Sequence, residues 1–238
     1  MTEFIYLHGF ASGPDSNKAQ AFKKRFQKLN IALHVPDLQE DDFENLTLSR
    51  QIRLVQTIID RDKRKKFGLI GSSMGGYLAS LVAQTRDSVK ALYLMAPGFN
   101  FLNRWREKLD LSKTTQDLIP VFHYRYNKEV LLNTHLFRDA EIWESVPLKR
   151  KIPTLIVHGL HDTTVNISES RNFVSLHPGC ELKELDSDHG LLSCVDWIVD
   201  DCLRFFQDHH LFDHLNFTGV TLFYLAGSLN APVKRASS

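Results

Sequence analysis

Within Gly71-Ser72-Ser73-Met74-Gly75 lies a serine whose neighbours suit it to nucleophilic attack. A hydroxyl is a weak nucleophile until a base takes its proton and N–H donors receive the negative charge that attack creates. The serine must also stand clear of the backbone, which a sharp strand-to-helix turn achieves. Only one frame puts a serine at the centre of Gly-x-Ser-x-Gly, and that serine is Ser73, with Ser72 as a spacer. Gly71 and Gly75 let neighbouring backbone pass where a side chain would clash. The apolar run Phe67–Ile70 precedes the turn, and Leu78, Ala79, Leu81, Val82 and Ala83 follow with helical spacing. The segment therefore reads as a nucleophile elbow rather than a plain glycine turn. No Lys-Ser/Thr follows the glycines and the spacing is not Gly-x-Gly-x-x-Gly, which sets phosphate binding aside.

The serine needs a base and the base needs a carboxylate to orient it. Downstream, His158-Gly159-Leu160-His161-Asp162 and Asp186-Ser187-Asp188-His189-Gly190 each follow a short apolar run. Asp162 as the acid and His189 as the base complete the order Ser, Asp, His. Asp186 and Asp188 lie too close to His189 in sequence to address the same ring edge. Of the other histidines, His158 is expected to pack or hydrogen-bond locally, His161 to support the acid, and His177 to sit in a surface turn before Pro178. The oxyanion donors are expected to be the amides of Met74, after the nucleophile, and Phe10, where Gly9 lets the chain turn. His8 is assigned to bracing that loop.

Short apolar runs alternate with amphipathic patterns, the mark of parallel βαβ units. Strands are expected near Phe4–Leu7, Ile31–Val35, Phe67–Ile70, Ala91–Met95, Thr154–Val157 and Glu181–Leu185. Helices are expected near Ser16–Leu29, Thr47–Arg61, Met74–Gln84, Ser168–Leu176 and Leu191–Gln207. Every reactive residue then follows a strand's C-terminal end, where open α/β sheets place ligands. Residues 98–150 form a long insertion rich in aromatic rings, expected as a helical cap over the site. Residues 1–207 should form one domain, and Asp208–Ser238 a loosely held C-terminal appendage, too short and glycine-broken to span a membrane.

With 238 residues, 43% hydrophobic and 24% charged, the chain is of ordinary globular composition. A net charge of +1 offers no field for nucleic acid, and the basic cluster Arg61–Lys66 falls where it complements a helix C-terminus. Cys180, Cys194 and Cys202 are odd in number and lack metal or redox spacing, and Met1 runs into Phe4–Leu7 without an export signal. A reducing, cytoplasmic setting is expected. Zinc is disfavoured: His158 and His161 lack the helical i, i+4 spacing, and His210 and His214, which have it, lie in the tail.

From about Phe4 to Gln207 the chain resembles the α/β-hydrolase superfamily. The strand-His8-Gly9-Phe10 exit, the elbow, His158–Asp162 and Asp188-His189-Gly190 carry the resemblance. Tyr6–Pro14, with Ser16 and Lys18-Ala19 after it, is similar to the small bacterial YqiA-like esterases, which also begin at the oxyanion strand. The resemblance implies an α/β-hydrolase fold with a mainly parallel sheet of about six strands and helices on both faces. It also implies a serine carboxylesterase or thioesterase acting on a small-molecule acyl ester or thioester, with no metal or organic cofactor. A dehalogenase is disfavoured because its nucleophile is Asp. A non-catalytic binding module on the same fold is the alternative of another class.

Overall fold

The chain, seen in a computed structural model that describes residues 2–109 and 117–212, is built on a parallel sheet. Its strands are β1 (Thr2–Leu7), β2 (Leu33–His34), β3 (Lys66–Ser72), β4 (Val89–Met95), β7 (Thr154–Gly159) and β8 (Cys180–Leu185). They lie in the order β2-β1-β3-β4-β7-β8. Phe4–Leu7, Phe67–Ser72 and Ala91–Met95 are buried throughout, because helices cover both faces of the sheet and a parallel strand so covered must be apolar on both sides.

One face is covered by α1 (Asn17–Lys28) and α7 (Val195–Asp208), whose Phe22, Phe26, Leu203 and Phe206 pack on Phe4, Tyr6 and Tyr93. The other carries α2 (Leu48–Asp60), α3 (Met74–Thr85) and α6 (Ser168–Leu176). Helix α2 turns Leu48, Ile52, Val55 and Ile59 inward, and its cap Thr47 accepts a hydrogen bond from the Arg50 amide at 3.1 Å. The basic cluster after it is tied to carboxylates, Arg64 to Asp62 and Lys65 to Glu3.

Between β4 and β7 the described residues of the insertion form the helices α4 (Phe101–Lys108) and α5 (His135–Glu144). The insertion also holds an antiparallel hairpin of β5 (Leu118–His123) and β6 (Lys128–Asn133), so it is not wholly helical. Asn127, at φ 51°, supplies the left-handed residue that closes the hairpin turn. Several of the insertion's rings form its seat on the domain: Trp105 meets Phe137 at 5.2 Å and Phe10 at 5.4 Å, while Phe122, Tyr124 and Tyr126 stay exposed.

Three local expectations are refined. β2 is two residues long, shorter than Ile31–Val35. His177 does open the surface turn before Pro178, its carbonyl accepting the Cys180 amide at 3.1 Å, but its ring is not free: it stacks on Phe173 at 3.9 Å and bonds the Leu148 carbonyl at 2.8 Å. Packing continues past Gln207, where the domain was expected to end: Leu211 is buried against Gly68 and Phe212 packs on Phe4 at 5.9 Å. The remainder of the expected appendage lies outside the described residues.

Candidate active site

Ser73 sits between β3 and α3 at φ 54° and ψ −120°, a strained conformation for a residue with a side chain. Backbone bonds hold it there: its amide donates to Met95 O at 2.9 Å, and its carbonyl accepts from Gly76 at 2.9 Å and Gly98 at 3.0 Å. A Cβ on Gly71 would strike the backbone of Gly75 and Gly76, and one on Gly75 would strike the carbonyls of Leu7 and His8. The glycines thus permit β3, the start of α3 and the exit of β1 to touch. Ser73 remains partly exposed while Ser72 is buried.

Ser73 Oγ lies 3.1 Å from His189 Nε2, and His189 Nδ1 lies 2.7 Å from Asp162 Oδ2. An ionised carboxylate only accepts, so Nδ1 carries the proton and Nε2 of the neutral ring is free to accept from the serine hydroxyl. Asp162 comes from the loop after β7 and His189 from the loop after β8. The loops interlock through His161 N to Ser187 O at 3.0 Å, and a Cβ on Gly159 would strike the Ser187 and Asp188 carbonyls.

Asp162 is saturated with donors. Oδ1 accepts the Thr164 and Val165 amides, both at 2.8 Å, and Oδ2 is shared between His189 and the buried His158, the latter at 3.1 Å. Burial raises the Asp162 pKa, but hydrogen bonds from His158, His189 and the Val165 amide outweigh it and hold the carboxyl well below the usual range. His158 Nε2 also lies 2.9 Å from the Val165 carbonyl, so Nε2 is the donor and Nδ1 meets Ser170 Oγ at 2.7 Å. The alternative acids point elsewhere. Asp186 pairs with exposed His161 at 2.6 Å, and Asp188 Oδ1 accepts the Leu191 amide at 3.1 Å.

Met74 opens α3, so its N–H has no carbonyl one turn back and faces outward from the helix end. Gly9 lies beside the serine, its Cβ position 3.4 Å from Ser73 Cβ, which brings the Phe10 backbone to the same rim. His8 braces this loop: Nε2 accepts the Leu38 amide at 3.1 Å and Nδ1 lies 2.9 Å from the Gly9 carbonyl.

Two features had no separate role in the sequence reading. Lys18, in the first turn of α1, is partly buried near Asp162 and Asp188; burial pushes its ammonium down to about 8 against the pull of both carboxylates. Arg104 on α4 pairs with the buried Glu169 at the start of α6, and Glu169 Oε2 also accepts the Asn100 amide at 2.9 Å. Lys18 stood in the resembling motif without an assigned role. No spacing rule signals a pair as far apart in sequence as Arg104 and Glu169.

Comparison with known proteins bears on the fold and the family. Est1E from Butyrivibrio proteoclasticus, solved with ferulic acid bound, superposes with TM-score 0.74 at 19% identity, covering 88% of this chain and 89% of that one. The alpha/beta hydrolase domain-containing protein 10 from mouse gives TM-score 0.71 at 18% identity over 87% and 90% of the two chains. The fold is that of the α/β hydrolases. A curated relative from Mycoplasma pneumoniae, named "Putative esterase/lipase 2", is 39% identical over 100 residues, 40% of this chain. The matched stretch spans only 37% of that relative's length. Residues 3–206 match the uncharacterised protein family UPF0227, and the chain belongs to that family.

Proposed function

We propose that the protein is a serine hydrolase that cleaves carboxylic esters through an acyl-enzyme. Ser73 Oγ attacks the ester carbonyl while His189 Nε2 takes its proton, and Asp162 holds the ring and stabilises the imidazolium. The oxyanion is received by the amides of Met74 and Phe10. His189 then returns the proton to the leaving oxygen. Water, activated by the same ring, attacks the acyl-enzyme and releases the acid and Ser73. The observation that carries this reading is the continuous hydrogen-bonded line from Ser73 Oγ through His189 to Asp162, at 3.1 and 2.7 Å. The name of the Mycoplasma relative, a putative esterase/lipase, supports it. The same machinery would cleave thioesters, so both substrate types belong in the assay. Free thiols at Cys180, Cys194 and Cys202 suit a reducing compartment, and we place the protein in the cytoplasm.

The test is labelling with a fluorophosphonate alongside hydrolysis of p-nitrophenyl butyrate and a matched butyryl thioester. Wild-type protein should be labelled on one serine and turn over the ester. Ser73→Ala should lose both while keeping its melting temperature, since backbone contacts and glycines set the turn. Near-normal turnover by Ser73→Ala would sink the mechanism.

A further inference from the structure

An open cleft of about 620 Å³ lies between the start of α4 and the loop running from Asp162 into α6. Its walls are polar: Asn100, Asn103, Thr163, Thr164 and Asn166 are exposed along it. The charges on its lining sum to zero, Arg104 and Arg106 against Glu107 and Glu169, with Arg104 paired to Glu169. Arg106 is further tied to Glu141 and Glu144, at 3.2 and 3.1 Å. Arg104 is held in place by that pairing through Nη1, which leaves Nη2 for another acceptor. Nη2 lies against Gly98, in the space a side chain there would take. A Cβ built there would be 2.6 Å from Arg104 Nη2 and 3.6 Å from the Met74 amide nitrogen, so the guanidinium reaches the edge of the reacting centre.

The side of the serine on which this cleft lies decides what enters it. In the strand order β2-β1-β3-β4-β7-β8, Ser73 follows β3, Phe10 follows β1 on one side, and Asp162 and His189 follow β7 and β8 on the other. The leaving oxygen must face His189 to receive its proton, so the alcohol half of the ester extends toward β4, β7 and β8. The cleft is on that side, with Thr163 and Thr164 directly after the acid. Amide and hydroxyl side chains both donate and accept, as hydroxyl groups do, whereas a neutral cleft with a buried carboxylate beside its cation gives an anion little gain.

Resting on the ester-hydrolase reading, we infer that this cleft is the leaving-group subsite for a neutral, polyhydroxylated alcohol, with Arg104 as its specificity-determining residue. Arg104 Nη2 donates to a hydroxyl oxygen near the scissile bond, and Asn103 and Thr163 meet hydroxyls further out.

The experiment compares kcat/KM for three esters of one acid: glycerol monobutyrate, propyl butyrate and butyryl glycolate. Wild-type protein should prefer the glycerol ester over the propyl ester by tenfold or more, chiefly in KM, and should not prefer the glycolate. Arg104→Lys, which keeps the charge opposite Glu169 but lacks the second guanidinium nitrogen, should lower that ratio threefold or more. Thr163→Val, a near-isosteric change at an exposed position, should lower it in the same direction without a change in melting temperature. Equal rates on the glycerol and propyl esters, or a ratio untouched in both variants, would overturn the inference and leave ester hydrolysis standing. A preference for the glycolate would overturn it in favour of an anion site. Turnover of none of the three by protein that hydrolyses p-nitrophenyl butyrate would overturn the inference alone, and loss of that activity as well would overturn both readings.

Discussion

Under the proposed mechanism, Asp162 links stability to chemistry at the residue scale. Four donors surround it, two backbone amides and two imidazoles, so its charge is stabilised where burial alone would oppose it. Because its folded-state pKa is depressed, its contribution to stability is fully present above the unfolded value of about 3.9 and is lost as the pH falls from there toward the lower folded-state value. Asp162→Asn keeps the shape but accepts from fewer donors. At pH 7 it should unfold about 1–3 kcal/mol more easily than wild type. That difference should shrink steadily between pH 5 and 2 in urea titrations, and a difference that grew on acidification would contradict the assignment. The same variant should lose about 10⁴-fold in kcat, because Asn leaves the imidazole in the wrong tautomer. The sequence assigned His158 a local bond but could not reveal that the bond goes to Asp162 itself, since the two approach only when the loop after β7 folds back on its strand.

At the scale of elements, the turn that carries Ser73 is held by the exits of β1 and β3 and the start of α3, which are in backbone contact. Gly75→Ala would drive a methyl group into the Leu7 and His8 carbonyls and separate the serine from the loop that carries Phe10. We expect about 1–3 kcal/mol of destabilisation by overpacking and a fall in ester turnover of more than tenfold, whereas Ser72→Ala should be mild on turnover. A Gly75→Ala protein with wild-type melting temperature and rate would remove the steric argument. The elements around the site were legible because parallel strands buried on both faces read as unbroken apolar runs; the run Phe67–Ile70 lies inside β3, Lys66–Ser72. The hairpin β5-β6 was not legible, for the opposite reason. Its outer side carries Phe122 and Leu131 in the open and Pro120 interrupts the first strand, so no alternation of apolar and polar residues marks it. The cleft was illegible too, being lined by residues from two crossovers that only the strand order β4-β7 makes neighbours.

On the scale of the whole molecule, the sheet separates two apolar cores, and the site lies at one end of it while the residues just after α7 close the other. After α7 the chain turns through His209 and His210, with the Leu211 amide donating to Phe206 O at 3.0 Å. Leu211, 3% exposed, then lies against Gly68 and Phe4, where a glycine leaves room for it. Phe212 adds an edge contact to Phe4 at 5.9 Å. Burying a leucine fully is worth about 1.5–3 kcal/mol, and Phe212 adds to that. Two truncated chains test this: one ending at Phe212, the other at Asp208. At about 2–4 °C per kcal/mol for a domain of this size, the shorter chain should melt about 4–10 °C below the longer one. Its turnover at 20 °C should stay within about twofold, since β3 carries Ser73 at its far end and a loss of packing at Phe4 lowers global stability before it moves the elbow. Equal melting temperatures would show that residues 209–212 do not belong to the core. A selective loss of turnover with stability intact would mean that the packing around Phe4 sets the position of the serine.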